Sequence, residues 1–470
     1  MGQINTNINS LQALNALNKN QAALSTSLQR LSTGLKINTG ADDPAGLIAS
    51  ESLQSEIAGI NQAIDNSTQA GNVLNTADGA LNEVSSLLLQ LQGLNNQAAN
   101  GGALSPDELQ ANQLQVDSIL NSINRISNTT SFNGSQLLNG SLDYTNSGVN
   151  TADLTNVQVN AAQIPEGGSV DITVQVLASA KLGTLNYASS GIGTTPTTIE
   201  VTGAIGTEGL SFAASAHNSA IAVAINQVKA STGVSATVAA NGSLNINSTA
   251  YGSAQFVSIK TISGSFVNGK NNGADAKVDI NGSEADVQGT TASVRAGSLD
   301  LQLNLSSAFA QNTSAAGGTT NFYITGGGAK FQLGSEVTSP GQVQIGISAV
   351  GTGDLGNSTD GFLSTLASGG ANSLVSGNTI QAQTIINDAI SQVATLRGRL
   401  GAFQSDVLDA NTNSLNVALE NVTSSESDIE DANFAQETAN LTRAQILVQA
   451  NVSVLAQANS QPQAILKLLS

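Results

Sequence analysis

LSTGLKINTGADDPAGL, residues 31–47, sets glycines, paired aspartates and a proline between two stretches whose apolar residues recur at helical spacing. Upstream they fall at Ile4, Ile8, Leu11, Leu14, Leu17, Leu24, Leu28, Leu31 and Leu35. Downstream the pattern resumes at Leu53, Ile57, Ile60, Ile64, Leu74, Leu81, Val84, Leu88 and Leu91. Steps of three and four put such residues on one face of a helix, so residues 31–47 read as a junction between two helices. Gly34 and Gly40 permit the backbone angles that stop the first helix; Asp43, next to Asp42, is suited to cap the second and Pro44 to open it. A helix from Pro44 to Asn96 would be roughly 80 Å long at 1.5 Å per residue, and it cannot bury its stripe alone.

The rest of the chain changes period twice. ANGGALS, residues 99–105, is a turn, and Ser105-Pro106-Asp107-Glu108 is a capping box with proline at the first helical position, followed by a stripe at Leu109, Val116, Ile119, Ile123 and Ile126. From 141 to 373 apolar and polar residues alternate in short runs, as in Val170 to Val176. Lys277 to Ile280 and Ser283 to Val287 flank Asn281-Gly282, a hairpin signal. His217 to Ala230 keeps helical spacing between strand-like flanks. Helical patterning returns at Ile386, Ile390, Val393, Leu400, Phe403, Val407, Ala410 and Val417, and ends with Phe434, Leu441, Val448, Val452 and Leu455. The fold class read from this is multidomain α+β. Both termini form a long antiparallel helical coiled-coil or rod, and a mainly β insertion with at least one helix separates them. Neither terminal stripe has enough partners in its own half, so the ends are expected to pack on each other.

The composition narrows function. In 470 residues only 10% are charged and 3% aromatic, with no tryptophan or cysteine, so the charged chemistry and large rings of an enzyme of this size are scarce. With 15 basic and 33 acidic residues the net charge is −18, which argues against nucleic acid or an anionic membrane as partner. Without cysteine, disulfides and thiolate metal sites are excluded. No run reaches the roughly 18–20 apolar residues of a membrane span, and the N-terminus is not patterned as a secretory signal peptide.

Searches for a reactive site end in structural readings. The single histidine, His217, heads a helix-like stretch and rules out H-E-x-x-H zinc chemistry. Asp279, Asn281, Gly282 and Glu284 misspace a calcium loop and read as a hairpin turn. Asp42 and Asp43 could be an acid/base pair, but an N-cap uses the same residue type without chemistry. The glycines of 317–328 lack phosphate-loop spacing. No catalytic residue, metal site or cofactor is expected.

Four blocks carry a family resemblance: QRLSTGLKINTGADDPAGLIAS from Gln29, SFNGSQLL from Ser131, LRGRLGAFQ from Leu396, and SDIEDANFAQETANLTRAQILVQANVSVLAQANSQPQAILKLL from Ser427. Together the first ~135 and last ~95 residues resemble bacterial flagellin, the subunit of the flagellar filament. The resemblance implies an architecture beyond what the spacing indicates. Residues 1–33 and 431–470 would form an inner coiled-coil domain lining the filament channel, packed through Ile4, Ile8, Leu11, Leu14, Leu24, Leu28, Leu31, Leu441, Val448, Val452 and Leu455. Residues 34–46, with Gly34, Gly40, Asp42, Asp43 and Pro44, would be a spoke linker. Residues 47–140 and 374–430 would form a helical rod. Residues 141–373 would be a surface-exposed variable region of one or two subdomains, with a flagellin repeat-like module near 198–267.

The implied function is a structural subunit exported unfolded through a type III apparatus, without a cleaved signal peptide, to polymerise outside the cell for swimming motility. The implied partners are further copies of the chain, the filament cap and hook-junction proteins, and an export chaperone contacting Ala464, Ile465, Leu466, Leu468 and Leu469. The alternative is a hook–filament junction protein, which shares terminal helices without polymerising indefinitely. One departure stands out: Gln90, Gln92 and Gly93 replace the arginines and glutamate by which flagellins engage an animal innate immune receptor, and Ser405-Asp406 replace Asn-Arg. Recognition by that receptor is therefore expected to be weak.

Overall fold

The structure, a computed structural model, describes residues 6–100, 104–165, 168–296, 299–314, 318–358 and 360–469, with the side chains of 462–469 outside the description. These residues form two compact units.

The first unit takes in residues 1–67, 333–337 and 409–470. Helix α1 (Ile8–Thr33) is capped by Asn7, whose side chain accepts from Ser10 N at 3.1 Å, and stops at Gly34, whose φ of 79° is left-handed. Helix α2 (Pro44–Ala99) begins in this unit and continues into the second.

The second unit holds residues 68–332 and 338–408. Helix α3 (Pro106–Thr129) starts at the capping box: Ser105 Oγ accepts from Glu108 N, and the Glu108 carboxylate accepts from Ser105 N at 2.8 Å. Beyond a short hairpin the chain enters a β-sandwich. One sheet orders the strands Ser283–Glu284, Lys277–Ile280, Val170–Ala178, Thr319–Gly327 and Tyr144–Ser147. The other orders Asp286–Gln288, Thr291–Ala296, Leu299–Leu305 and Leu154–Ala162. Alternation sends Ile172, Val174, Val176, Phe322 and Ile324 from the first sheet, and Leu301, Leu303 and Leu305 from the second, into one core. Burial of each such side chain contributes roughly 1.5–3 kcal/mol before ordering entropy is subtracted.

A module with its own core is inserted into this sandwich. Helix α4 (Asn218–Gln227) packs Ile221 and Ile225 against Ile199, Val201, Leu244, Ile246, Val257 and Ile259. Its entry and exit meet in an antiparallel bridge, Lys181 N to Ala274 O at 2.8 Å and Ala274 N to Lys181 O at 2.9 Å. The chain then returns through helix α5 (Thr379–Ala402). Within this unit α5 runs antiparallel to α2: Asn95 donates to Thr379 O at 3.0 Å, and Arg397 pairs with Asp78 at 2.8 Å. Back in the first unit, helices α6 (Ala410–Glu430) and α7 (Phe434–Leu469) complete the chain.

Three local readings change. The strand expected over 283–287 breaks at Ala285 and switches sheets, because its two pieces face opposite halves of the sandwich. The helix expected over 217–230 ends at Gln227, with a short helix from Lys229 to Thr232 after it. The stripe spanning Leu400 to Val417 contains a π-helical segment, Phe403–Asp409, whose wider turns advance the downstream face. The Asn281-Gly282 turn has the expected form, with φ of 52° and 81°, both left-handed.

Candidate assembly surface

The junction is built from side chains that close their own backbone. Asp43 Oδ1 accepts from Gly46 N at 3.0 Å and caps α2 at the position that Pro44 opens. Asp42 Oδ2 accepts from Thr39 N at 2.9 Å, Thr39 Oγ1 at 2.9 Å and Asn38 N at 3.2 Å. The Thr39 hydroxyl first, then the Thr39 and Asn38 amides, hold the Asp42 carboxyl below its usual pKa. A depressed carboxylate stabilises the folded turn above its unfolded pKa, and that contribution disappears as pH falls through the folded value. The two aspartates thus serve separate turns and form no acid/base pair.

Gly34 ends α1 in the left-handed region, and Gly40 does not take that conformation. Gly40 is absent from the left-handed backbone positions, and a Cβ there would make ordinary contact with Leu47 at 3.5 Å. The glycine that the junction requires is Gly46, where a Cβ would lie 2.6 Å from both Ile37 Cδ1 and Asp43 Oδ2. Ile37 is buried under this turn.

From the junction, α1 and α7 run side by side in opposite directions. Lys36 N donates to Glu430 O at 2.6 Å, Ala432 N to Gly34 O at 2.8 Å, and Leu35 bridges Asp431. Arg30 lies 3.9 Å from Glu437, a carboxylate only 6% exposed, and 4.0 Å from Asp42. At the far end Asn7 Nδ2 donates to Ala458 O at 2.7 Å and Ser10 Oγ to Asn459 Oδ1 at 2.8 Å. Ser50 Oγ also donates to Glu430, which Gln54 Nε2 reaches at 3.0 Å, so the start of α2 lies beside the end of α6.

Among the described residues, the fully buried apolar positions of α1 and α7 are small: Ala13, Ala444 and Ala458. The large residues of the stripes are less covered. Ile8, Leu11, Leu14, Leu28 and Val452 are exposed, Ile8 at 55% and Val452 at 51%, whereas Leu24, Leu31, Leu441, Val448 and Leu455 are half-buried. Ile4 and the side chains of Ala464, Ile465, Leu466, Leu468 and Leu469 lie outside the described residues. Phe434 of the stripe is exposed too, and Ile446, Leu447 and Val454, which sequence reasoning passed over, widen the exposed apolar area of α7. That reasoning also missed the alanines and Glu437; small residues at helical spacing were the available signal.

Two antiparallel helices that leave Ile8, Leu11, Leu14, Leu28 and Val452 exposed present the apolar surface of a subunit suited to association. Family models of the bacterial flagellin N-terminal helical region, the bacterial flagellin C-terminal helical region and the flagellin hook IN motif match residues 4–143, 383–469 and 198–250. Flagellin of Salmonella typhimurium is 32% identical over 524 aligned residues, covering 99% of each chain. Flagellin of Salmonella rubislaw is 33% identical and B-type flagellin of Pseudomonas aeruginosa 31%, again over 99% of both chains. The chain belongs to the bacterial flagellin family. It is a structural subunit of the flagellar filament, an extracellular polymer that serves motility.

Gly46→Ala should lower the stability of the first unit by up to about 1 kcal/mol, because Ile37 Cδ1 and Asp43 Oδ2 must swing aside while the better helix propensity of alanine offsets part of that cost. Gly40→Ala should change it by less than about 0.5 kcal/mol. Urea unfolding of the two variants, followed by circular dichroism, provides the comparison.

Proposed function

We propose that α1 and α7 pair as a coiled coil that lines the channel of the filament, with residues 34–46 as the spoke between it and a helical rod drawn from residues 47–140 and 374–430. Residues 141–373 then form the filament's outer surface. The observation that carries this reading is the exposure of Ile8, Leu11, Leu14, Leu28 and Val452 on two helices that pair antiparallel. Each such side chain gains roughly 1.5–3 kcal/mol on full burial, so several per subunit can drive polymerisation without covalent links. Copies of the chain supply that burial. A junction protein would carry similar helices, but the full-length similarity to filament flagellins favours an indefinite polymer.

The same proposal includes export through a type III apparatus, capture of Ala464, Ile465, Leu466, Leu468 and Leu469 by an export chaperone, and contact with cap and hook-junction proteins at the filament ends. It also includes weak innate-receptor recognition. Gln90 and Gly93 are exposed on α2 but offer no guanidinium, and Gln92 donates to Asn387 at 3.0 Å. Purified monomer should give a small fraction of the signal of an arginine-bearing flagellin in a receptor-reporter assay, and a full response would refute this part.

Val452→Asp tests the assembly reading directly. The residue is exposed in the single chain, so the variant should keep the circular dichroism and melting of the parent while failing to elongate in electron micrographs. Normal filaments from this variant would sink the coiled-coil reading.

A further inference from the structure

Inside the second unit, the sandwich turns a polar sheet face toward α5. The strands Leu154–Ala162 and Leu299–Leu305 pair antiparallel, placing Gln158 opposite Gln302 and Asn156 opposite Asn304. Leu301, Leu303 and Leu305 point into the core, so these four amides stand on the opposite face. With Asp388, Ser391, Gln392 and Thr395 of α5 they line a cavity of about 180 Å³. An adjoining cavity of about 240 Å³ shares Asn156, Gln158, Asn357 and Gln392 and adds Asp143, Asp354 and Phe362. The larger space corresponds to about eight waters.

The walls divide into a fixed frame and an open set. Gln392 Nε2 donates to Gly356 O at 2.7 Å and its Oε1 accepts from Gly356 N at 2.9 Å, which uses both ends of that amide. Asn357 Nδ2 donates to Asp388 Oδ2 at 2.7 Å and to Asp360 Oδ2 at 3.0 Å. Asn156, Gln158, Gln302 and Asn304, in contrast, make no side-chain hydrogen bond to any described residue. Each brings two donors and an acceptor to the groove. Ser348 Oγ, on the wall of the larger cavity, is buried without a partner.

The charge of the groove selects among ligands. Asp143, Asp354 and Asp388 line it, and neither cavity has a lysine, arginine or histidine in its wall. Arg399 acts on Asp143 and Asp300 but is not among the wall residues, so an anion in the groove meets carboxylates and no cationic side chain in the wall. A metal ion lacks ligands, since no group of three acidic, histidine or cysteine side chains suited to one occurs among the described residues. What suits unused amides, carboxylate acceptors and one aromatic wall is a neutral molecule with many hydroxyls.

We propose that this groove binds a neutral carbohydrate, with the amides of Asn156, Gln158, Gln302 and Asn304 hydrogen-bonding its hydroxyls and Phe362 forming the apolar wall beside the ring. The site is built entirely from residues of the second unit.

The test uses the full-length chain titrated with glucose, galactose, mannose and N-acetylglucosamine, by calorimetry and saturation-transfer NMR, with glucuronate as the charged counterpart. At least one neutral sugar should bind saturably while glucuronate does not. The double variant Gln302→Ala/Asn304→Ala should weaken that binding by about tenfold or more, and the same-sized Gln158→Glu should also weaken it, while Gln90→Ala on α2 leaves it unchanged. Unchanged melting of the variants shows that the sandwich is intact. A water-filled seam would give no saturable binding of any of the four neutral sugars at millimolar concentration, and that result overturns the proposal. So does binding that survives both groove variants, or glucuronate binding as tightly as glucose.

Discussion

The antiparallel pairing of α1 and α7 constrains everything else in the terminal unit. Backbone and amide contacts from Asn7–Ala458 to Lys36–Glu430 set its register, and Ala13, Ala444 and Ala458 are the buried apolar side chains of the two helices among the described residues. That geometry leaves the larger apolar side chains without full cover. Leu24, Leu31, Leu441, Val448 and Leu455 are only half covered, and Ile8, Leu11, Leu14, Leu28 and Val452 stay exposed. A single copy therefore leaves much of its own apolar stripe in solvent.

The junction at residues 34–46 makes the pairing possible. It joins the two helices with a left-handed glycine, a carboxylate-closed turn and a capped helix start, and it buries Ile37 beneath them. Arg30 sits between Asp42 and Glu437, so the same cation faces the turn and the first turn of α7. The polar hinge thus serves as the point where the two ends of the chain are brought into register.

Much of this was legible in the sequence because helices announce themselves by period and by caps. The starts at Pro44 and Pro106 follow directly from Asp43 and from the Ser105–Glu108 box, whose chemistry is local. The Asn281-Gly282 turn is local in the same sense. What was not legible depends on neighbours distant in sequence. Gly46 reads as an ordinary helix residue until Ile37 folds over it, and Gly40 reads as a helix stop although its backbone is unexceptional. The strand break at Ala285 reflects a change of sheet that alternation cannot signal. The π segment at Phe403–Asp409 shifts a stripe that simple periodicity carries straight on. Ala13, Ala444 and Ala458 were passed over for another reason: a methyl side chain adds little to an apolar stripe, although all three are buried.

Amide hydrogen exchange on monomer and on assembled filament tests the central claim most directly, because it reports the opening of α1 and α7 in each state. The account predicts weak protection of Ile8–Thr33 and Phe434–Leu469 in the monomer and a strong increase on assembly, while the β-sandwich core around Leu303 and Phe322 is protected equally in both. Full protection of both terminal helices in the monomer, unchanged in the filament, would contradict it.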